Sequence, residues 1–173
     1  MPAKPLSRVA ALARGFSLIE IVLTLVILGL LAAVALPRFS NLDNQAHRAS
    51  VSGAASGFRS AVTMVRMARR VNGFVGPGAN DNVRAFGAND IDLNATGFPV
   101  ETNNANAIAS AQSCIRVWNG ILFPAPTVNT TAGSDFLATS AGQVCTFTYN
   151  RQAVPVRRIT YNANTGAITL INP

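Results

Sequence analysis

Glu20 is the one charged side chain in an otherwise apolar run. From Phe16 to Leu36 the chain reads FSLIEIVLTLVILGLLAAVAL. A carboxylate at the centre of a bilayer costs ~2.5–3.5 kcal/mol on the insertion scale, and less near the end of a helix. Four residues in from Phe16, Glu20 can simply snorkel to the interface. A sharper chemistry is also open to it. The triplet Arg14-Gly15-Phe16 offers a cleavage point just ahead of the run, and cutting after Gly15 would leave a new α-amine on Phe16. Glu20 could then pair with the Phe16 amine of a neighbouring subunit, which gives the intramembrane carboxylate a partner.

Other residues that could do chemistry are sparse. Cys114 and Cys145 both follow the apolar run. An even count in a segment that looks exported favours one disulfide, worth ~3–4 kcal/mol in the chain-entropy account. The alternative is two buried thiols of a cytoplasmic protein. Asp90, Asp92, Asn94 and Glu101 fit ligand positions 1, 3, 5 and 12 of a calcium-binding loop. Ala95, however, stands where the sharp-turn glycine belongs, and Pro99 interrupts the frame. An Asx-rich turn is the preferred reading, and neither metal nor cofactor is expected. His47 is the only histidine, so no His pair can hold a metal or share a proton, and exposed helix surface is its expected place. No Ser/His/Asp set, Cys/His pair or phosphate loop is visible, and the chain is not expected to be an enzyme.

The elements that must position these groups follow from hydropathy. The apolar run is roughly twenty residues long and as a helix covers ~30 Å, the hydrocarbon thickness of a bilayer. Lys4, Arg8 and Arg14 precede it, which keeps the N-terminus cytoplasmic and sends the remainder outward. The run is longer than a secretory signal core and the cleavage point comes before it, so the anchor survives processing. Past Pro37, Val51, Ala54, Phe58, Ala61, Val62, Val65 and Ala68 recur on one helical face, with Arg48, Arg59, Arg66 and Arg70 beside it. Asn72-Gly73 and Gly76-Pro77-Gly78 stop the helix. One helix of about fifty residues is therefore expected, kinked or unwound near Pro37.

Here the residues resemble a known family. The string Arg14-Gly15-Phe16-Ser17-Leu18-Ile19-Glu20 ahead of an apolar run resembles the prepilin signature of type IV pilins and type II secretion pseudopilins. The resemblance implies that Gly15 is the cleavage site of a prepilin peptidase, that Phe16 becomes N-methylated and that Glu20 is the assembly residue. It also implies an α+β fold, a long N-terminal helix packed on a C-terminal antiparallel sheet. The expected division is a leader over residues 1–15, a membrane-spanning half-helix over 16–36, an amphipathic stem over 37–72 and a globular head over 73–173. Implied partners are further copies of the chain in a helical filament, the peptidase and an inner-membrane assembly platform. The implied location is the inner membrane, with the head in the periplasm, and then a surface pilus.

Within the head, Val144–Tyr149, Val156–Tyr161 and Ala167–Ile171 read as strands, with a hairpin loop at Asn162–Gly166. Asn103–Ser113 reads as a short helix and the stretch from Gly73 to Thr102 as loop. Cys114 followed by Arg116-Val117-Trp118-Asn119-Gly120, and Leu36-Pro37-Arg38-Phe39-Ser40-Asn41-Leu42, resemble the mannose-sensitive haemagglutinin branch of the pilins. In common pilins of this class the second cysteine lies nearer the C-terminus than Cys145 does, so the disulfide-bounded region is expected to be arranged differently.

The leading reading is a filament subunit serving adhesion or motility. A type II secretion pseudopilin and a tip-located pilin that captures DNA through the arginine stripe are the alternatives. Losing the three basic leader residues lowers the net charge from +7 to +4, so charge alone argues only weakly for nucleic acid, an unlikely partner on this reading.

Overall fold

The computed structural model describes residues 15–71 and 82–173, with Ser40 described by its backbone alone. The basic leader residues Lys4, Arg8 and Arg14, and the helix-stop residues Asn72-Gly73 and Gly76-Pro77-Gly78, lie outside the described residues. Internal contacts divide the chain into two units, one ending at Asp43 and the other running from Asn44 to Pro173.

Helix α1 spans Leu18–Val71, 54 residues. Pro37 lies inside it, and helical residues continue on both sides. The expected unwinding at Pro37 is not seen, since a proline removes one backbone hydrogen bond and a long helix can carry that loss. In the first unit the large apolar side chains from Leu18 to Leu42 are exposed. That stretch is long and apolar enough to cross a membrane.

The second unit carries the hydrophobic core. Val51, Ala55, Phe58, Ala61, Val62 and Val65 of α1 are buried at three- and four-residue steps, the period that puts side chains on one helical face. A five-stranded sheet receives that face. Its strands are β3 (Val128–Asn129), β4 (Phe136–Ala141), β5 (Val144–Tyr149), β6 (Arg158–Asn162) and β7 (Ala167–Ile171), in that spatial order. The pairings from β4 to β7 are antiparallel, and the short β3 joins β4 in parallel. Phe136 and Ala138, Cys145 and Phe147, and Ile159 and Tyr161 point inward from alternate positions. Their rings meet the stem at Phe58, which lies 5.3 Å from Trp118, 5.7 Å from Phe147 and 5.3 Å from Tyr161.

Three sequence expectations change in detail. The stretch from Asn103 to Ser110 is not helical; helix α2 spans Ala111–Ile121 and contains Cys114 rather than leading to it. Ser110 starts it, with its N–H donated to Ser113 Oγ, and Cys114, Ile115, Val117, Trp118 and Ile121 supply a buried helical face. The asparagines before Ser110 favour local turns instead. The expected loop up to Thr102 contains a small antiparallel pair, β1 (Asp92–Leu93) and β2 (Pro99–Glu101). Strand β4 has no counterpart in the sequence reading, because large Leu137 falls on its outward side while its inward Ala138 carries little hydropathy signal, which blurs the alternation.

The β6–β7 hairpin closes on Gly166, whose N–H donates to Asn162 O at 2.7 Å. Gly166 has φ +71°, and a Cβ there would collide with the Phe98 ring. Both backbone conformation and space therefore require glycine at this turn.

Candidate functional site

Two regions carry the residues singled out by sequence, one in each unit. In the first, Gly15, Phe16 and Ser17 precede α1 as extended, exposed chain. Nothing described lies within 4 Å of where a Gly15 Cβ would be. Ser17 starts the helix, its carbonyl accepting the N–H groups of Glu20 and Ile21 at 3.0 and 3.2 Å. Glu20 falls in the first turn of α1 and is exposed. A carboxylate there gains from the positive end of the helix dipole.

In the second unit Cys114 of α2 and Cys145 of β5 form a disulfide, with Cα atoms 5.6 Å apart. Both residues are fully buried. The bridge pins α2 onto the sheet and closes a loop of 31 positions. The chain beyond Cys145 does not hang from this loop. It forms β6 and β7, which complete the sheet.

Asp90, Asp92, Asn94 and Glu101 are each engaged by the fold. Asp90 Oδ1 accepts Ala88 N–H at 3.2 Å. Asn94 Oδ1 accepts the N–H groups of Thr96 and Phe98 and so builds the turn between β1 and β2, while its Nδ2 donates to Ala163 O at 2.6 Å. Asp92 stands across from Glu101 in the β1–β2 register, and both are buried. Burial pushes the Asp92 carboxyl above its ordinary value, against the lowering effect of the backbone N–H of Asn104, 2.6 Å from Oδ2. Glu101 accepts Arg116 Nη1 at 2.9 Å in an ion pair that is buried on the carboxylate side. Among the described residues no group of three or more His, Cys, Asp or Glu could hold a metal ion.

That ion pair explains part of the Arg116-Val117-Trp118-Asn119-Gly120 string. Arg116 neutralises Glu101. Val117 and Trp118 are core, and Trp118 Nε1 donates to Pro126 O at 2.9 Å. Gly120 leaves room for Ile91, whose Cδ1 a Cβ would strike. His47 is not simple helix surface. It is half-buried, with Nδ1 2.9 Å from the Tyr149 hydroxyl, a partner 102 residues away that local sequence could not reveal. Of the arginine stripe, Arg59 Nη2 donates to Ile168 O at 3.0 Å and Arg66 lies over the Phe98 ring, 4.2 Å from its centroid.

Comparison with known proteins gives one match of weight. Over 49 residues the chain is 49% identical to the type IV narrow pilus major component PilA5 of Thermus thermophilus. The chain is similar to a type IV pilin. The matched stretch is 28% of this chain and 42% of the relative, so less than half of that curated protein is covered. No protein-family model and no solved structure matches. The pilin-like reading therefore rests on this stretch, on the long apolar helix and on the α+β head with helix packed on sheet.

Proposed function

We propose that this pilin-like chain is a structural subunit of a type IV pilus that polymerises through the first part of α1. The observation that carries the proposal is the exposed Gly15–Phe16 junction and Glu20 at the head of an apolar helix whose side chains are unburied within the subunit. In water such a surface is strongly unfavourable, at ~25 cal/mol per Å² of apolar area. Lipid covers it before assembly and neighbouring helices cover it afterwards. The same surface thus serves as anchor and as polymerisation interface.

On this proposal Gly15 is the prepilin peptidase site, Phe16 the N-methylated first residue of the mature chain and Glu20 the assembly residue. The subunit waits in the inner membrane with its disulfide-bonded head in the periplasm, meets the assembly platform and leaves as part of a surface filament used in adhesion or motility. The mannose-sensitive haemagglutinin type remains the favoured branch, on the strings around Pro37 and Trp118. The similarity to a pilus component favours a pilus over a type II secretion pseudopilin.

Mass spectrometry of the membrane fraction checks the processing step. A chain beginning at Phe16 and one methyl group heavier is the expected product. An intact leader on assembled protein would refute cleavage at Gly15.

A further inference from the structure

A buried charge cluster sits where β1, β2 and α2 meet. Asp92 of β1 stands opposite Glu101 of β2 in the antiparallel register, and both are buried, at 0% and 1% exposure. Residues opposed in this way hold their Cβ atoms ~4.5–5.5 Å apart on one face of the pair, where like charges repel. Among the described residues one cation answers the two carboxyls. Arg116 of α2 donates to Glu101 Oε1 at 2.9 Å, and the same oxygen accepts Thr102 N–H at 3.2 Å. With both acids ionised, the cluster would set two negative charges against one positive.

The two oxygens of Asp92 are unequally served. Oδ2 accepts the Asn104 N–H at 2.6 Å, whereas Oδ1 is buried with no hydrogen-bond partner among the described residues. A charged acceptor buried without a donor is costly, but the same oxygen carrying a proton becomes a donor itself. Burial pushes the Asp92 carboxyl up, repulsion from Glu101 and Asp90 adds to that, and the N–H groups of Asn104 and Ala105 act against it. The other charged or titratable groups on the elements packed around the pair are placed elsewhere. Arg66 and Arg69 of α1 lie against Phe98 and Gly97 in the β1–β2 turn. Tyr161 of β6 donates to Pro99 O at 2.9 Å, and Arg84 is exposed beside the Val83–Ile91 bridge.

We propose that Asp92 and Glu101 share one proton and act as an acid-held latch on the segment that leads into α2. The proton rides on Asp92 Oδ1 and is donated to Glu101, a hydrogen bond to a charged acceptor and therefore a strong one. The pair then carries a single negative charge, which Arg116 balances. What the latch holds is the turn at Asn104, whose φ of +64° lies in the left-handed region that few residues other than glycine adopt. Its N–H rests on the other oxygen of Asp92. Release of the proton to solvent sets two carboxylates face to face and loosens the β1–β2 pair from which this turn hangs. Below the ordinary aspartate value, folded and unfolded chains both hold the proton. As pH rises the unfolded chain releases it first, so the latch contributes fully below that value and is lost as pH passes through the raised one. The latch belongs to the head and can fail without the filament proposal failing.

The test uses the full mature chain in detergent micelles with its disulfide intact. Carboxyl-carbon NMR on labelled Asp and Glu follows the titration, and denaturation midpoints are measured over a pH series. In wild type the Asp92 carboxyl is expected to titrate above free aspartate, with Glu101 responding in the same step because the two protons are coupled. In Asp92→Asn the amide stands in for the protonated acid, its Nδ2 facing Glu101 and its oxygen accepting Asn104 N–H. That variant should match the wild-type midpoint in acid, exceed it above neutrality and lack the step between. Glu101→Gln leaves Arg116 unpaired, so its midpoint should fall at every pH while the Asp92 titration moves back towards the free value. Asp90→Asn removes the weaker repulsion and should move that titration less. Should Glu101→Gln fail to fold, the wild-type titration and the Asp92→Asn series still decide. Asp92 titrating at or below free aspartate, a lower midpoint for Asp92→Asn above neutrality, or a constant gap between it and wild type would overturn the shared proton. An Asp92 titration that responds more to Asp90→Asn than to Glu101→Gln would overturn the pairing with Glu101.

Discussion

Replacing Glu20 with alanine is expected to leave the subunit in the membrane and abolish its filaments. Insertion should not suffer, since removing a charge makes the apolar run more favourable in lipid. The head should fold normally, because Glu20 belongs to the first unit and the core lies wholly in the second. What disappears is the attraction to the Phe16 amine of an adjacent subunit. Where helices pack and water is scarce, that attraction is large, because Coulomb energy rises as the local dielectric falls. An amine left unpaired in such a core adds a desolvation penalty of several kcal/mol. Every ~1.4 kcal/mol is tenfold in an equilibrium constant, so a fall of about a hundredfold in sheared filament is a conservative expectation. The measurement compares sheared surface material with total membrane-bound subunit in wild type and Glu20→Ala. Wild-type filament yield from the variant would mean that Glu20 only snorkels.

The second large effect concerns the head. Trp118 is fully buried, with ring centroids 5.3, 5.1 and 4.5 Å from Phe58, Phe136 and Phe147. It therefore bridges stem, α2 and sheet at once. Trp118→Ala removes the largest buried side chain, opens a cavity among three rings and leaves Pro126 O without its donor. Such truncations cost ~3–5 kcal/mol, a fifth or more of the ~5–15 kcal/mol typical of a domain. Denaturant titration of the mature chain in detergent should show a loss near ~4 kcal/mol with the disulfide intact. Trp118→Phe, which keeps an aromatic ring in the site, should lose less than half of that. A loss below ~1 kcal/mol for Trp118→Ala would mean that stem and head are not joined through this cluster.

The two units were unequally legible in the sequence. Anchor and signature depend on residues a few positions apart, so hydropathy and the Gly15-Phe16-Glu20 spacing are enough to describe them. The stem face was equally readable, because Phe58, Val62 and Val65 follow one helical period. Strands β5 and β7 stood out through alternating large apolar residues. Strand β4 did not, since Ala138 gives an inward position no more signal than its neighbours. Helix α2 was placed too early, because alanines before Ser110 outweighed the asparagines among them. The ion pair of Glu101 with Arg116 and the contact of His47 with Tyr149 join residues from different elements. Their role depends on register and packing, which no local spacing records. The arginine stripe was visible as a stripe, but the bond of Arg59 to Ile168 O depends on a strand about a hundred residues later.

The most direct test of the filament reading is helical reconstruction by electron cryomicroscopy of surface filaments sheared from cells that make this chain. The expected map shows this chain as the repeating subunit, α1 helices packed in the core, and the Glu20 carboxylate within ~4 Å of a neighbouring Phe16 amine, the range of a direct ion pair. Filaments that lack this chain, or that place Glu20 towards water with no amine beside it, would contradict the reading.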